Sequence, residues 1–406
     1  MQLTINKAKV IDNRLISCIE YENKKYDMYF EVEKEYAKYL CDETLDAFLV
    51  SLIPFIVKHN YDVKINGKIS SKLYYQLTNY LLPLLCSEFK KERINIDCEI
   101  TNVSFDAKGV GASISCGVDS FYTLLKHQNQ KDENYNITHL TFFNAGSNGE
   151  YGGESGRKLF KERLKFIKKF CNQNNYKLVT IDTNMNELIM MNHKKTHSFR
   201  TLGCVLALQK LFGKYYFASG YHYNDMKLDE DSCGHYDTLN VQCLSNETLT
   251  IYSSGLEVSR LDKVKYISEH EITYNWLNVC VVTGDNCGEC IKCSRTIAEL
   301  ESIGKIDKYK SVFDLSKYYK NRNKIFVNIL KESREKDTCD AIYLREIVDE
   351  CKKNKKNISP IIYMKSYIPN KTDIKSIIKL FLPKKIVNKI KKIRQEKYSK
   401  KDGWIN

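Results

Sequence analysis

The sequence predicts an α/β protein built on a parallel sheet, with an α+β domain before the sheet and helices after it. From residue 106 onward, short apolar runs alternate with amphipathic segments of helical length, which is the pattern of parallel strands joined by helical crossovers. Residues 1–105 instead begin with consecutive β-like runs before helical patterns appear. The chain has 406 residues, which exceeds one typical core and predicts two or three domains.

Residues 1–105 are predicted to form the α+β N-terminal domain. Their beginning alternates in three short β-like runs, which favours an antiparallel meander. Helical patterns follow at 44–58 and 71–90, and strands are expected at 61–66 and 94–100. No group of residues in this domain has catalytic spacing, so we expect it to shape a substrate site or to support oligomerisation.

The second predicted domain, residues 106–306, contains the parallel sheet. Strands are expected at 109–114, 138–143, 177–182 and 215–219, and helices at 119–127, 154–173 and 198–212. In an open parallel sheet, ligands bind beyond the carboxyl ends of the strands. The residues that follow each strand are therefore the candidate binding residues.

The first of these loops follows the strand at 109–114 and has the sequence Ser115-Cys116-Gly117-Val118-Asp119-Ser120. Backbone N–H groups at the start of a helix lack partners, and the helix macrodipole favours an anion there. The hydroxyls of Ser115 and Ser120 add hydrogen bonds. The loop is therefore predicted to bind phosphate, with a serine-rich helix cap as the alternative.

This six-residue loop resembles the Ser-Gly-Gly-x-Asp-Ser pyrophosphate loop (PP-loop) of the N-type ATP pyrophosphatase superfamily, which includes the 7-cyano-7-deazaguanine synthases. It differs from the Walker loop because no Gly-Lys-Ser/Thr follows. The resemblance covers roughly residues 106–300. It implies an adenine nucleotide α hydrolase-like domain that uses ATP and Mg²⁺ and releases pyrophosphate. One departure is Cys116, which replaces the first glycine and which we expect to avoid positive φ.

Further ATP-facing positions lie in later loops. In relatives, the loop after the second strand borders the adenosine, which implies this role for Asn144 and Gly146, with an ordinary turn as the alternative. Similar enzymes place ATP- and substrate-facing groups after the fourth strand, here Ser219 and Gly220. Arg200, at the start of a predicted helix, is expected to bind a phosphate or a substrate carboxylate.

The catalytic residues that the resemblance implies are Asp119, Arg260 and Lys263. Asp119 is expected to hold Mg²⁺. Related enzymes bring a basic residue from the later region onto the pyrophosphate. Arg260 and Lys263 are three residues apart, so on a helix both face one side. Either would offset the charge on the departing pyrophosphate, although an exposed charged helix has the same spacing.

A second motif consists of four cysteines, Cys280, Cys287, Cys290 and Cys293. Two consecutive Cys-x2-Cys steps, with Gly288 allowing a tight turn, direct thiolates to one point, and the earlier sulfur completes the tetrahedral geometry of structural zinc. The segment also resembles the zinc site of the 7-cyano-7-deazaguanine synthases, with a slightly shorter spacing to Cys280. An iron–sulfur cluster is the alternative. Four protein sulfurs leave no position for water, so the metal is expected to be structural.

Residues 307–370 are predicted to be a helical extension, and residues 371–406 a basic amphipathic tail. The net charge of +14 is concentrated in this tail, where 12 Lys and Arg accompany three acidic residues. The other 370 residues have a net charge of only +5, so this part of the chain does not indicate a basic nucleic-acid-binding surface. The tail suits contact with RNA, with an anionic membrane surface or with the protein itself.

Cysteine usage and the first residues together predict the compartment. No charged segment followed by an apolar run opens the chain, so no secretion signal is visible. The longest apolar run, 47–57, is about half a bilayer span and is predicted to be a core helix. The chain has fifteen cysteines whose spacing shows no disulfide framework, which indicates reduced thiols. We therefore expect a cytoplasmic protein.

The two motifs together predict an ATP-dependent adenylating enzyme that forms AMP and pyrophosphate. It would activate a carboxylate, amide or carbonyl oxygen of a small molecule for attack by a nitrogen or sulfur nucleophile. RNA modification of the tRNA-thiolation type is one alternative. It usually needs a sulfur-carrying cysteine, for which Cys116 and Cys204 are the candidates. A non-catalytic ATP-binding sensor or scaffold is the other alternative. The substrate, the nucleophile and homo-oligomer formation stay open.

Overall fold

Eleven strands form one sheet in the part of the chain that the structure describes. This computed structural model describes residues 1–149, 151–335, 339–356 and 358–368. In chain order the strands are β1 (Gln2–Ile5), β2 (Lys9–Ile11), β3 (Arg14–Tyr21), β4 (Lys24–Val32), β5 (Asp62–Ser70), β6 (Ile96–Thr101), β7 (Gly109–Ser113), β8 (His139–Phe143), β9 (Lys177–Thr183), β10 (Phe212–Ala218) and β11 (Thr250–Ser254). Their order across the sheet is β11-β10-β7-β8-β9-β4-β3-β1-β5-β6, with β2 paired to β3.

Thirteen α-helices accompany the sheet among the described residues. They are α1 (Asp46–His59), α2 (Ser71–Gln76), α3 (Leu82–Glu88), α4 (Val118–His127), α5 (Gly153–Gln173), α6 (Met185–Ile189), α7 (His197–Ala207), α8 (Asp237–Cys243), α9 (Arg260–Ile267), α10 (Ile291–Ser302), α11 (Leu315–Glu332), α12 (Cys339–Lys353) and α13 (Pro360–Ser366). A π-helical segment, Leu77–Leu81, joins α2 to α3, so the helix predicted at 71–90 contains one wider turn.

The half of the sheet formed by β11, β10, β7, β8 and β9 is entirely parallel. Helices α4, α5 and α7 each lie between two of its strands in the chain. The predicted α/β class with a parallel sheet is therefore confirmed. Helix α7 ends at Ala207 and not at 212, because the chain reverses after Leu208 and Phe212 already pairs with Gly109 of β7.

Strand β7 lies in the middle of this parallel half and is made of small residues. Gly111 pairs with Tyr215 on one side and His139 on the other. A Cβ on Gly111 would come within 2.6 Å of the Tyr215 ring, so only glycine leaves room for it. The Tyr215 hydroxyl lies 2.7 Å from the hydroxyls of both Ser113 and Thr141. These contacts hold the end of β7 in place directly before the candidate loop.

The N-terminal strands continue the same sheet. Strand β4 pairs antiparallel with β9, with Phe30 opposite Thr183 and Val32 opposite Ile181. One hydrophobic core cluster contains buried residues from both predicted domains, among them Phe48 of α1 and Leu202 of α7. The boundary predicted near residue 105 therefore separates two strand arrangements and not two cores.

By its contacts, the chain divides into two compact units, Met1–Tyr318 and a second that begins at Tyr319. The first unit contains the whole sheet together with both predicted domains. The predicted helical extension is present as α11, α12 and α13. The basic tail predicted at 371–406 lies outside the described residues.

Candidate functional site

The loop between β7 and α4 is held in shape by its own hydroxyl groups. The Ser115 amide donates to Ser120 Oγ at 3.3 Å, and the Gly117 amide donates to Ser115 Oγ at 3.3 Å. Ser120 Oγ donates to the Gly117 carbonyl at 3.0 Å. Helix α4 begins at Val118, so its free N–H groups and the positive end of its dipole lie at this loop. The predicted strand, loop and helix are all present in this order.

Cys116 departs from the expectation that it avoids positive φ. Its φ is 57°, in the left-handed region that favours glycine. The side chain is fully buried, and the Cys116 carbonyl accepts a hydrogen bond from the Asn278 amide at 2.8 Å. This contact between the loop and a distant segment keeps the residue in the strained conformation.

The thiols proposed as sulfur carriers are both inaccessible. Cys116 and Cys204 have no solvent exposure, and burial raises the pKa of each thiol well above its usual range. Both are therefore protonated at neutral pH, whereas sulfur transfer requires a reachable thiolate.

Asp119, the second residue of α4, lies between two cations. Its Oδ2 is 2.9 Å from Arg260 Nη1, and its Oδ1 is 3.1 Å from Lys263 Nζ. Burial alone would raise the pKa of Asp119, but Lys263 and Arg260 lower it to about 2. The carboxylate is therefore ionised, and its side chain keeps 30% exposure, whereas Arg260 keeps 6% and Lys263 1%.

Helix α9 brings both cations to one side, as the i, i+3 spacing predicts. Ser259 caps this helix by accepting a hydrogen bond from the Asp262 amide. Arg260 also reaches α10, where its Nη2 donates to Thr296 Oγ1 at 3.3 Å and its Nε lies 3.5 Å from Glu299 Oε1. The alternative of an exposed charged helix is thereby ruled out.

A cleft of about 260 Å³ opens beside the loop. Four cationic side chains line it: Arg163, Arg260, Lys292 and Arg295. Among the described residues that line it, Asp119 is the one carboxylate, and Glu299 of α10 contacts Arg260 and Arg295, so the cationic side chains outnumber these carboxylates. Part of the wall is apolar and consists of Phe142, Phe166 and Ile167. A cleft with this charge, at the positive end of a helix, is suited to a polyanion that carries an apolar or aromatic part.

Asn144, Gly146 and Arg200 are not among the residues that line the cleft, and all three lie beside Asn186 instead. Arg200 is fully buried, and its Nη1 donates to Asn186 Oδ1 at 2.9 Å and its Nη2 to the Met191 carbonyl at 2.7 Å. A Cβ at Gly146, whose φ is 103°, would lie 2.6 Å from Arg200 Nη1. The expectation that Arg200 meets an anion at a helix terminus is therefore not met, because the protein itself supplies its partners.

Asn144 is likewise engaged inside the protein. Its Nδ2 donates to Asp182 Oδ1 at 2.7 Å, and its carbonyl accepts a hydrogen bond from Asn186 Nδ2 at 3.1 Å. The neighbouring Ser147 and Asn148 are the residues of this loop that reach the cleft. Arg163 holds both of them, donating to the Ser147 carbonyl at 3.0 Å and to Asn148 Oδ1 at 3.2 Å.

Ser219 contacts the site residue Lys263, whereas there is room for a side chain at Gly220. The Ser219 carbonyl accepts a hydrogen bond from Lys263 Nζ at 2.6 Å, and its hydroxyl donates to Asp237 Oδ2 at 3.0 Å. Ser219 is fully buried. A Cβ on Gly220 would meet nothing within 4 Å. Ser219 therefore positions Lys263 instead of facing the cleft.

The four predicted metal ligands come together. The sulfur atoms of Cys280, Cys287, Cys290 and Cys293 all lie within 4.8 Å of one another. The Cys280 and Cys290 sulfurs are 3.9 Å apart, close to the roughly 3.8 Å between sulfurs that tetrahedral Zn–S bonds of about 2.3 Å require. Backbone amides donate to three of the sulfurs, as from Cys290 to Cys287 Sγ at 3.3 Å. This donor set fits a closed tetrahedral zinc site.

The segment that carries the four cysteines, residues 280–293, is called the cysteine knuckle below, and it contributes Cys280, Val281, Gly284 and Lys292 to the wall of the cleft. Cys290 caps α10, and this helix carries both Lys292 and Arg295 to the cleft. Burial lowers the pKa of the Lys292 ammonium, and the neighbouring Arg295 adds to this effect. A metal held by the cysteines would therefore fix the position of two cleft cations.

Arg163, Lys292 and Arg295 were not predicted as site residues. Lys292 and Arg295 stand within and directly after the cysteine motif, so their proximity to the predicted metal was a usable signal. Arg163 had no such signal, because α5 carries many basic residues of similar spacing.

Comparisons with protein-family models, with curated proteins and with solved structures give no match for this chain. Among the described residues, every helix is too short or too polar to cross a membrane.

Proposed function

We propose that this chain is an ATP-dependent adenylating enzyme of the PP-loop type that releases pyrophosphate. The observation that carries the proposal is the placement of Asp119, Arg260 and Lys263 at the positive end of α4, directly after the central strand of a parallel sheet. Among the described residues, the cationic side chains of the surrounding cleft outnumber the carboxylates that line it or contact them, which suits a nucleoside triphosphate.

In this proposal the β- and γ-phosphates of ATP occupy the loop Ser115–Ser120, where amides and hydroxyls face them. Arg260 and the α10 cations Lys292 and Arg295 then offset the phosphate charge. The adenosine lies against the apolar wall, beside Ser147 and Asn148 in place of Asn144 and Gly146. This assignment follows from which side chains line the cleft.

Asp119 is the ligand proposed for Mg²⁺, because carboxylate oxygens suit this ion and Asp119 is the one carboxylate among the cleft-lining residues that the structure describes. Both of its oxygens are engaged by cations. Phosphate oxygens would compete with Asp119 for Arg260 and Lys263, which frees the carboxylate. When bound, Mg²⁺ supplies charge stabilisation on the phosphates.

The proposed reaction has two steps. An oxygen of the small-molecule substrate attacks the α-phosphorus, a new P–O bond forms, and the bond from the α-phosphorus to the bridging oxygen breaks, so pyrophosphate leaves. A nitrogen or sulfur nucleophile then displaces AMP from the adenylate. Arg260 and Lys263 would act on the charge that develops on the leaving pyrophosphate, so catalysis would rest on positioning and electrostatics.

Zinc in the cysteine knuckle is proposed to be purely structural. Its four sulfur ligands leave no open position, and its effect on the reaction would come through Lys292 and Arg295. The cytoplasm is the expected location, since a four-thiolate site needs reduced cysteines.

Calorimetry with ATP, with and without Mg²⁺, tests the nucleotide site. We expect Arg260→Met to weaken ATP binding about tenfold to a hundredfold, because a charged hydrogen bond contributes about 1.5–3 kcal/mol. Asp119→Asn should remove the Mg²⁺ dependence of binding. Asp262→Asn is the matched control on the same helix, since its exposed carboxylate lies outside the cleft.

Release of labelled pyrophosphate from ATP, measured with panels of small acids, tests turnover. Pyrophosphate release that Asp119→Asn abolishes supports the enzyme. Tight ATP binding without release for any substrate would instead assign a sensor, and salt-sensitive tRNA binding would favour RNA modification. A wild-type protein that takes no nucleotide contradicts the proposal.

A further inference from the structure

A second cavity, of about 380 Å³, lies between α1 and α3 on one side and the residues around Met190 and Glu230 on the other. This volume is within the range of small-molecule sites. Its wall is mostly apolar, with Val57 of α1, Leu85 of α3 and Phe199 of α7. It shares no lining residue with the ATP cleft, so it is a separate site.

Charged groups of mainly one sign border this apolar cavity. Among the described residues that line it, three are lysines, Lys58, Lys91 and Lys195, and one is an acid, Glu230. Lys91 Nζ donates to the Lys58 carbonyl at 3.0 Å, and this hydrogen bond holds the Lys91 ammonium group near Lys58. Among the described residues, neither Lys58 nor Lys195 has an ion-pair partner in the structure. Two positive charges are therefore left over for a ligand.

Two large apolar side chains stand exposed where the cavity opens. Met190 is 56% exposed and Tyr151 is 50% exposed, and both line the cavity. Met190 has φ 45°, a left-handed conformation that residues other than glycine rarely adopt. A flexible thioether and an aromatic ring at the rim of an apolar cavity are suited to closing over an apolar ligand.

We propose that this cavity binds a small carboxylate with an alkyl or aromatic body. The body packs against Val57, Leu85 and Phe199, and the carboxylate lies beside Lys195 and Lys58. Charge complementarity selects this occupant over the C-terminal tail of the chain, which has 12 basic against three acidic residues. The proposal does not depend on ATP binding and goes beyond the adenylating function.

Calorimetry on the full chain with three eight-carbon probes tests the chemistry of the ligand. Octanoate should bind about fivefold more tightly than octanol, and octylamine more weakly than either, because the rim is cationic. Octanoate should bind about tenfold more tightly than hexanoate, since two further methylene groups become buried. Equal affinities for the three head groups would overturn the proposal.

Matched variants test the location of the ligand. Lys195→Glu should weaken octanoate binding about tenfold, whereas Lys194→Glu, an exposed neighbour that does not line the cavity, should change it less than twofold. Val57→Phe should abolish binding by filling the cavity, and thermal melting confirms that each variant is folded. ATP affinity should stay unchanged in Lys195→Glu, which separates this site from the cleft.

Three further results would also contradict the proposal. The first is equal loss of octanoate binding in Lys195→Glu and Lys194→Glu, which would indicate diffuse surface charge. The second is a full chain that takes none of the probes. The third is a dimer that octanoate dissociates in sedimentation experiments, which would assign the cavity to a second copy of the chain.

Discussion

Cys116 has a backbone conformation that its own residue type disfavours. A left-handed conformation costs a non-glycine residue about 1–2 kcal/mol of stability. Glycine avoids this cost, but part of the gain is lost because glycine has more conformational entropy in the unfolded chain. The residue is retained in this conformation by the Asn278 hydrogen bond to its carbonyl and by complete burial of its thiol. Strained backbone conformations cluster at functional sites, so this strain supports the proposed phosphate loop.

Comparing Cys116→Gly with Cys116→Ala isolates this strain. Both variants lose the thiol, but only glycine relieves the left-handed conformation. We expect the free energy of unfolding of Cys116→Gly to exceed that of Cys116→Ala by about 0.5–1 kcal/mol in denaturant titrations. A lower stability for the glycine variant would show that the loop has no strain at this position.

Asp237 is a buried carboxyl whose ionisation opposes folding. Burial raises the pKa of Asp237 to about 6, although His197 and the Ser219 hydroxyl act in the opposite direction. In the unfolded chain an aspartate has a pKa of about 3.9. Between these two values the folded state keeps a proton that the unfolded state releases, so stability falls as pH rises.

The variant Asp237→Asn should remove this pH dependence. The unfolding free energy of the wild type minus that of the variant should fall by about 2–3 kcal/mol between pH 4 and pH 6, and then level off. Denaturant titrations of both proteins across this range measure the difference, in which the titrating groups that do not interact with Asp237 cancel. A difference that stays constant with pH would mean that Asp237 has an ordinary pKa.

At the level of elements, α10 connects the cysteine knuckle to the cleft. Cys290 caps this helix, Lys292 and Cys293 lie in its first turn, and Arg295 follows in the next turn. A metal bound by the four cysteines would fix the start of the helix and, through the helix, the positions of both cations. Metal binding and anion binding are therefore expected to be coupled.

Removal of the metal should weaken nucleotide binding even though no residue proposed to bind phosphate is changed. We expect Cys290→Ser, or treatment with a chelator, to lower ATP affinity at least about tenfold, because two cations lose their fixed position. Elemental analysis should find one zinc per chain, whereas visible absorbance would indicate the iron–sulfur alternative. Cys18→Ser, in β3 and outside the cysteine cluster, is the matched control and should keep full affinity.

At the scale of the whole molecule, the two halves of the first compact unit depend on each other. Strand β9 uses β4 as its neighbour, and α1 packs on α7 so closely that a Cβ on Gly203 would lie 1.9 Å from Ser51 Oγ. Without residues 1–105, β9 would expose an unpaired edge and α7 would expose its apolar face.

Fragment stability tests this dependence. We expect a fragment of residues 1–318 to unfold in one cooperative transition, because it contains the whole compact unit. A fragment of residues 106–318 should lack a cooperative transition and aggregate. If circular dichroism showed that the shorter fragment folds as stably as the longer one, the two halves would be separate domains after all.

The local pattern of the sequence was sufficient for four of the five strands of the parallel half, whereas β11 was not predicted. The four strands predicted there appear at β7, β8, β9 and β10, because their apolar runs are buried on both faces and leave a signal in each segment alone. The metal cluster was equally predictable, since its ligands are close in sequence and their spacing constrains their geometry.

The sequence by itself therefore determined the α/β class, the loop between β7 and α4, and the four thiols that gather at one point. Only the tertiary structure decided that β4 joins β9, that Arg200 is enclosed by Asn186 and Met191, and that Arg163 reaches the same cleft as Arg295. Hydrophobic periodicity records whether a side chain is buried. It does not record which distant strand, amide or cation becomes its neighbour, because that choice depends on packing between segments far apart in the chain.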